Sequence, residues 1–274
     1  MGRVSCTEII HALARTLGIV IGSINFWIDY MGTIQHRQTI SRHDLRDYLS
    51  TQQNLNGYLE AVMNNRNWLA FFGFLYVAVW MIGLLIPTGT LSPSMSNAEI
   101  QQVLITHQFA RWIQVYLIDG VAGIAILLFA VMAVSLFQSV EEKNIARVVL
   151  GAGVAAGAIS LVQAGVQQTL VNSDLLASVE TPFRTLLVLV NQIDTFKLMA
   201  LALLSISISI FGIRTRLIPA WVNWLGILLT IALILGGISF AFANSMLTAV
   251  LYASLPMLLV WVGAVSAAGM RWVK

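Results

Sequence analysis

The sequence predicts an all-α fold: a polytopic bundle of six transmembrane helices behind an N-terminal amphipathic, cytoplasmic helical segment. Three observations predict it. The 274 residues are 58% hydrophobic and only 10% charged, with a mean hydropathy of +0.82. A soluble domain carries about 25% charged residues, so a bilayer is the solvent that fits this composition. Six apolar blocks of roughly bilayer-crossing length fill residues 68–272. None of them alternates with period two, and backbone groups in lipid must be satisfied internally, so the blocks read as helices rather than barrel strands.

Taken in order, the first 67 residues form one segment and 68–274 the bundle. Between Glu8 and Asp29 the polar or small positions are Glu8, His11, Arg15, Gly18, Gly22, Asn25 and Asp29, spaced 3, 4, 3, 4, 3, 4. That is one narrow polar stripe on an apolar helix. It either lies in the inner interface or crosses as a seventh span with the stripe turned inward. The short uninterrupted apolar stretch favours the interface. Residues 32–67 are polar. Ser41 suits an N-cap with Asp44 three residues on. Leu45, Tyr48, Leu49, Leu55, Leu59 and Val62 then recur at helical spacing. This predicts a cytoplasmic amphipathic helix over 42–65, packed on the bundle or offered to a protein partner.

The spans are expected at 68–86, 112–137, 148–171, 193–213, 221–242 and 247–272. In the loop at 87–110, Ser96 and Glu99 spell a capping box. The second helix should therefore begin near Asn97, outside the membrane. Thr181-Pro182 reads as an N-cap followed by proline at the first helical position. A helix from there to Ile213 must tilt, project, or break near Asn191-Gln192. Pro256 interrupts the sixth span. With residue 67 in the cytoplasm, the inner flanks hold Arg66, Lys143, Arg147, Arg214, Arg216, Arg271 and Lys274. The outer flanks hold only Arg111 and Arg184. This positive-inside bias predicts a cell-membrane protein with both termini cytoplasmic if six spans cross. Trp221, Trp224 and Trp272 then form an inner aromatic belt.

Ionisable groups inside the blocks are the handle on chemistry: Asp119, Asp194 and Lys197. Lys197 lies 17 residues before Arg214, about 25 Å from the inner flank. Gln163 lies 16 residues past Arg147 on the preceding helix, about 24 Å up. Ser160, Gln163 and Gln167 share one face, and Asp194 and Lys197 share another at i,i+3. Ser239 and Tyr252 fall near the same level. Charged groups in hydrocarbon usually face the bundle and pair. Asp119, Gln163, Gln167, Asp194 and Lys197 therefore make a candidate outward-facing ligand or proton pocket. The bland reading is a salt bridge that fixes helix register, or a snorkelling Lys197. His107 and Arg111, at i,i+4, are candidate outer-mouth anion contacts or headgroup contacts. Gly153-xxx-Gly157 allows close helix packing, within the chain or as a homo-oligomer seam.

Other chemistries are not supported. Cys6 is the one cysteine, which excludes an intrachain disulfide and multi-cysteine zinc sites. The N-terminus shows no signal-peptide pattern, and the myristoylation motif wants Ser or Thr where Cys6 stands. The histidines His11, His36, His43 and His107 fall outside the firm spans, which argues against a membrane haem. His36 and His43 beside Asp44 read as solvated surface, so no metal site is expected. HExxH, P-loop and GxSxG motifs are absent from the sequence. No cofactor and no nucleic-acid partner are expected, and an intramembrane enzyme ranks third among the readings because no nucleophile–base pair or metal set is visible.

Residues Asp194-Thr-Phe-Lys197, the apolar run to Gly212, and Arg214-Thr-Arg-Leu-Ile-Pro219-Ala-Trp221-Val-Asn-Trp224-Leu-Gly226 carry a resemblance. Over about residues 105–272 the chain resembles a broad group of bacterial six-helix membrane proteins of unknown function. Ala220 and Asn223 depart from that group's Leu-Pro-Arg-Trp-Leu-Gly turn. The resemblance implies a six-helix bundle and no activity. The functional expectation is a small-solute or proton-linked carrier or a ligand sensor. The alternative is an accessory subunit that docks a partner through 42–65.

Overall fold

Long apolar runs that must satisfy their own backbone groups can do so as helices. In a computed structural model they are helices throughout. The structure describes residues 66–92, 94–137, 143–177, 182–242 and 245–271. The stripe at 8–29, the predicted helix at 42–65 and the histidines before residue 66 lie outside the described residues.

The elements are α1 (Arg66–Leu84), α2 (Asn97–Thr106), and α3, which is built from Gln108–Val115, a π-helical turn Tyr116–Val121 and Ala122–Phe137. They continue with α4 (Lys143–Leu170), the single turn α5 (Ser173–Leu176), α6 (Phe183–Thr215), α7 (Ala220–Phe242) and α8 (Ser245–Gly269). No strand occurs among the described residues. Among the described residues six helices, α1, α3, α4, α6, α7 and α8, are long and apolar enough to cross a membrane. The protein is an all-α bundle with the build of a multi-pass membrane protein.

Neighbours in the chain are neighbours in space: α3 packs on α4, α4 on α6, α6 on α7 and α7 on α8. α1 closes the bundle, with Gly83 against Ile118 of α3, and Gly73 and Leu69 against Ser266 and Gly269 of α8. Arg66 donates to the carbonyls of Gly269 and Met270, which places a cation on the C-terminal end of α8. α6 is the central helix, with 67% of its most apolar stretch buried against 33–50% in the other five. Large apolar side chains such as Phe71, Phe109, Phe196 and Trp224 point outward, as a lipid-facing surface requires.

α3 and α4 approach at glycines. A Cβ on Gly123 would stand 2.7 Å from Ser160 Cβ, and one on Gly157 would stand 2.8 Å from the Gly123 carbonyl. Gly153 is buried against Ala130. At Gly153 and Gly157, α4 packs closely on α3 of the same chain, the intramolecular use of small residues that the sequence allowed.

The capping box forms as read. Ser96 N–H donates to Glu99 at 2.7 Å and Glu99 N–H to Ser96 Oγ at 3.3 Å. α2 does not run on into the membrane, however. It ends at His107 (φ −115°, ψ 20°), and α3 starts afresh. α6 begins after Pro182 rather than with it and is unbroken through Asn191-Gln192. Its 33 residues make about 50 Å, longer than a bilayer core of about 30 Å. The excess meets α2 and α5 in a second small core of Ile100, Leu104, Leu176, Phe183 and Leu187. Gln101 and Gln108 bind that end together by donating to the Leu176 and Val171 carbonyls at 2.6 and 2.8 Å. At the other end of α6, Arg216 takes a left-handed conformation (φ 57°) and the chain turns into α7. Asn223 donates its amide to the Ile218 carbonyl at 3.2 Å and braces that turn.

Two outcomes test this packing. Gly157→Ala is expected to lower stability by about 1–3 kcal/mol through overpacking. Gly151→Ala, whose Cβ meets nothing within 4 Å, should shift it by less than about 0.5 kcal/mol. Thermal unfolding in detergent compares the pair. The Ser96 backbone N–H, then its hydroxyl, holds the exposed Glu99 carboxyl below the usual glutamate value. The box therefore contributes fully above the ordinary glutamate range and is lost as pH falls through the lowered value. Amide exchange in α2, corrected for intrinsic rates, should rise over that interval in the wild type. Glu99→Ala should abolish the step.

Candidate functional site

An ammonium ion in an apolar bundle needs an acceptor for each of its three N–H bonds. Lys197 has three. Its Nζ lies 2.7 Å from Asp194 Oδ1 and 2.9 Å from Asp119 Oδ1. It donates to Gln163 Oε1 at 2.6 Å. Gln167 Nε2 donates to Asp119 Oδ2 at 3.0 Å. Asp119, Gln163, Gln167, Asp194 and Lys197, five residues on three helices, form one hydrogen-bonded centre.

Local structure explains each position. Asp194 and Lys197 are a turn apart on one face of α6. Gln163 and Gln167 follow Ser160 along one face of α4, next to the Gly123–Gly157 approach that draws α3 and α4 together. Asp119 sits in the π turn of α3, which inserts an extra residue into the helical register. The three ionisable groups are two carboxylates and one ammonium, a formal charge of −1 when all are ionised.

The centre is closed. Asp119 is 4% exposed and Lys197 7%, while the Asp194 side chain is 22% exposed. Beside Lys197 lies a cavity of about 10 Å³, lined by Tyr76 and Trp80 of α1, Ile126 of α3, Ser160 of α4 and Leu201 of α6 among others. Such a volume holds about one water molecule. In this structure the centre expected to form an outward-facing pocket is packed, with one partly exposed edge at Asp194.

Tyr76 and Trp80 did not stand out in the sequence, where they lie inside the apolar run Phe-Leu-Tyr76-Val-Ala-Val-Trp80. Their i,i+4 spacing was the available signal. Ser239 is buried. Tyr252 is 68% exposed. Arg111, a candidate anion contact, is engaged within the chain. Its guanidinium donates to the Thr88 and Gly89 carbonyls, each at 2.9 Å, and shapes the loop in which Gly89 takes φ +69°. His107 packs against that same glycine and marks the break before α3, so the two form a loop anchor. No group of three or more metal-binding side chains occurs among the described residues.

No family model, curated protein or solved structure matches the chain.

The arrangement can do two things chemically. It clamps α3, α4 and α6 at one level, and its uneven charge gives it a place for one proton. Removing the ammonium strands a buried carboxylate. Lys197→Met is expected to cost about 3–5 kcal/mol, and Asp194→Asn clearly less, because Asp194 is partly exposed and Asp119 still neutralises Lys197. Thermal unfolding in detergent measures both.

Proposed function

We propose that the protein is a proton-linked membrane carrier or sensor in the cell membrane, with the Asp119–Lys197–Asp194 centre as its working part. One observation supports the reading above the others: two carboxylates, one buried and one at the edge, share one buried, saturated ammonium. A lasting net charge is costly in a low-dielectric interior, and ionisable groups in membrane helices commonly mark proton relays. A single proton removes the imbalance. The cavity beside Lys197 suits a proton or one water and is too small for an organic solute in this conformation.

Orientation follows the charge bias of the flanks. With Arg66, Arg214 and Arg216 on the cytoplasmic side, α2 and Asp194 face outward. The chain's likeness over 105–272 to bacterial six-helix membrane proteins belongs to the same reading.

The test uses Asp119→Asn and Lys197→Met in the full chain, reconstituted in phosphatidylcholine vesicles. Folded yield, thermal stability and the acid-induced change in tryptophan fluorescence are measured, Trp80 lying beside the centre. The expected result is that folded Asp119→Asn, in which one carboxylate balances one ammonium, loses the acid response of the wild type, while folded Lys197→Met, left with two carboxylates, shows a response moved to higher pH. Loss of folding in both, or an acid response unchanged from the wild type in the folded variants, contradicts the reading and leaves the charges a structural clamp.

A further inference from the structure

We propose that Asp194 is the carboxylate through which the centre exchanges its proton with the aqueous phase at the α2 end, and that Asp119 is the fixed counter-ion of Lys197. This rests on the proton-linked reading and names the residue that carries it.

The two carboxylates differ in geometry. Asp119 is buried, and both of its oxygens face N–H donors, Oδ1 the Lys197 ammonium and Oδ2 the Gln167 amide. A proton placed there would confront a donor unless the Gln167 amide turned over. Asp194 Oδ1 is taken by Lys197, and the side chain is 22% exposed. Lys197 itself is not the exchanging group. Its three acceptors need three N–H bonds, and a neutral amine has two.

Depth agrees. Asp194 lies 20 residues before Arg214, about 30 Å along α6, which is the thickness of the hydrocarbon core. Its carboxyl stands where the hydrocarbon gives way to headgroups and water. Beyond Lys197 the interior is closed by the buried apolar side chains of Ile126, Phe129, Leu201 and Leu204, so access is from one side. The ionisable groups near Asp194 are Lys197 on its own helix and Asp119 from α3, while Tyr76 of α1 lies beside Lys197. α4 brings only the amides of Gln163 and Gln167. Thr195 turns instead to the Gly237 carbonyl of α7. α7 has no ionisable residue, and α8 has only Tyr252, which is exposed. Loading takes one proton from water onto an Asp194 oxygen. The centre goes from −1 to neutral, and Lys197 keeps all three of its protons.

Infrared difference spectra, acid minus neutral, of the full chain in phosphatidylcholine vesicles test this. The wild type is expected to show the carbonyl stretch of a protonated carboxyl, which Asp194→Glu, keeping the charge, moves to a different position and Asp194→Asn, removing the excess charge, lacks. A band that Asp194→Glu leaves at the wild-type position overturns the proposal; the proton then sits on Asp119 and the proton-linked reading stands. If the wild type shows no carboxyl band, both fail together. Asp194→Glu decides the case even if an Asn variant does not fold.

Discussion

A buried ammonium tolerates no idle N–H, and the structure around Lys197 follows from that constraint. Three acceptors must reach one nitrogen from different directions. One comes from its own helix, Asp194, and two come from neighbours, Asp119 and Gln163. For α3 and α4 to deliver them, their backbones must approach closely, which the glycines at 123 and 157 allow. Asp119 must also be aimed, and it sits within the π turn. Gln167 then occupies the oxygen of Asp119 that Lys197 does not. The central position of α6 is the packing counterpart of this arrangement, since the helix that carries the ammonium is the one most surrounded by others.

The same centre holds helices and holds an uneven charge, and the two roles fall on different residues. Asp119 and Lys197 are the buried pair that ties α3 to α6. Asp194 sits at the edge, one turn nearer the α2 end. The apolar residues beyond the centre close it from the opposite side. The cap built from α2, α5 and the projecting end of α6 lies on the open side, held by its own small core and by glutamine bonds to chain carbonyls. The loop before α2 is fixed separately by Arg111 on the Thr88 and Gly89 carbonyls.

The bundle was legible in the sequence because hydrophobic length alone determines it: a run of about 20 apolar residues has few structural options in lipid. The Ser96–Glu99 box was legible because it is a local pattern. Counting residues from charged flanks placed Asp119, Gln163 and Lys197 at a common level, and helical spacing paired Asp194 with Lys197. What stayed hidden depends on how side chains of distant helices meet. Apolar spacing does not reveal a π turn at Tyr116–Val121. Nor does it show whether the space beside Lys197 is filled, which is decided by Tyr76 and Trp80 of α1. The Gly153/Gly157 stripe marked a close approach without naming its partner, which is α3 of the same chain. Arg111 looked available because the sequence does not show that the Thr88 and Gly89 carbonyls turn toward it.

The most direct measurement is a double-mutant cycle on thermal stability with Asp119→Asn, Lys197→Met and the two combined. If the ammonium organises the centre, the double variant is more stable than the sum of the single losses requires, with a coupling above about 1 kcal/mol. Losses that add to within about 0.5 kcal/mol would contradict the account.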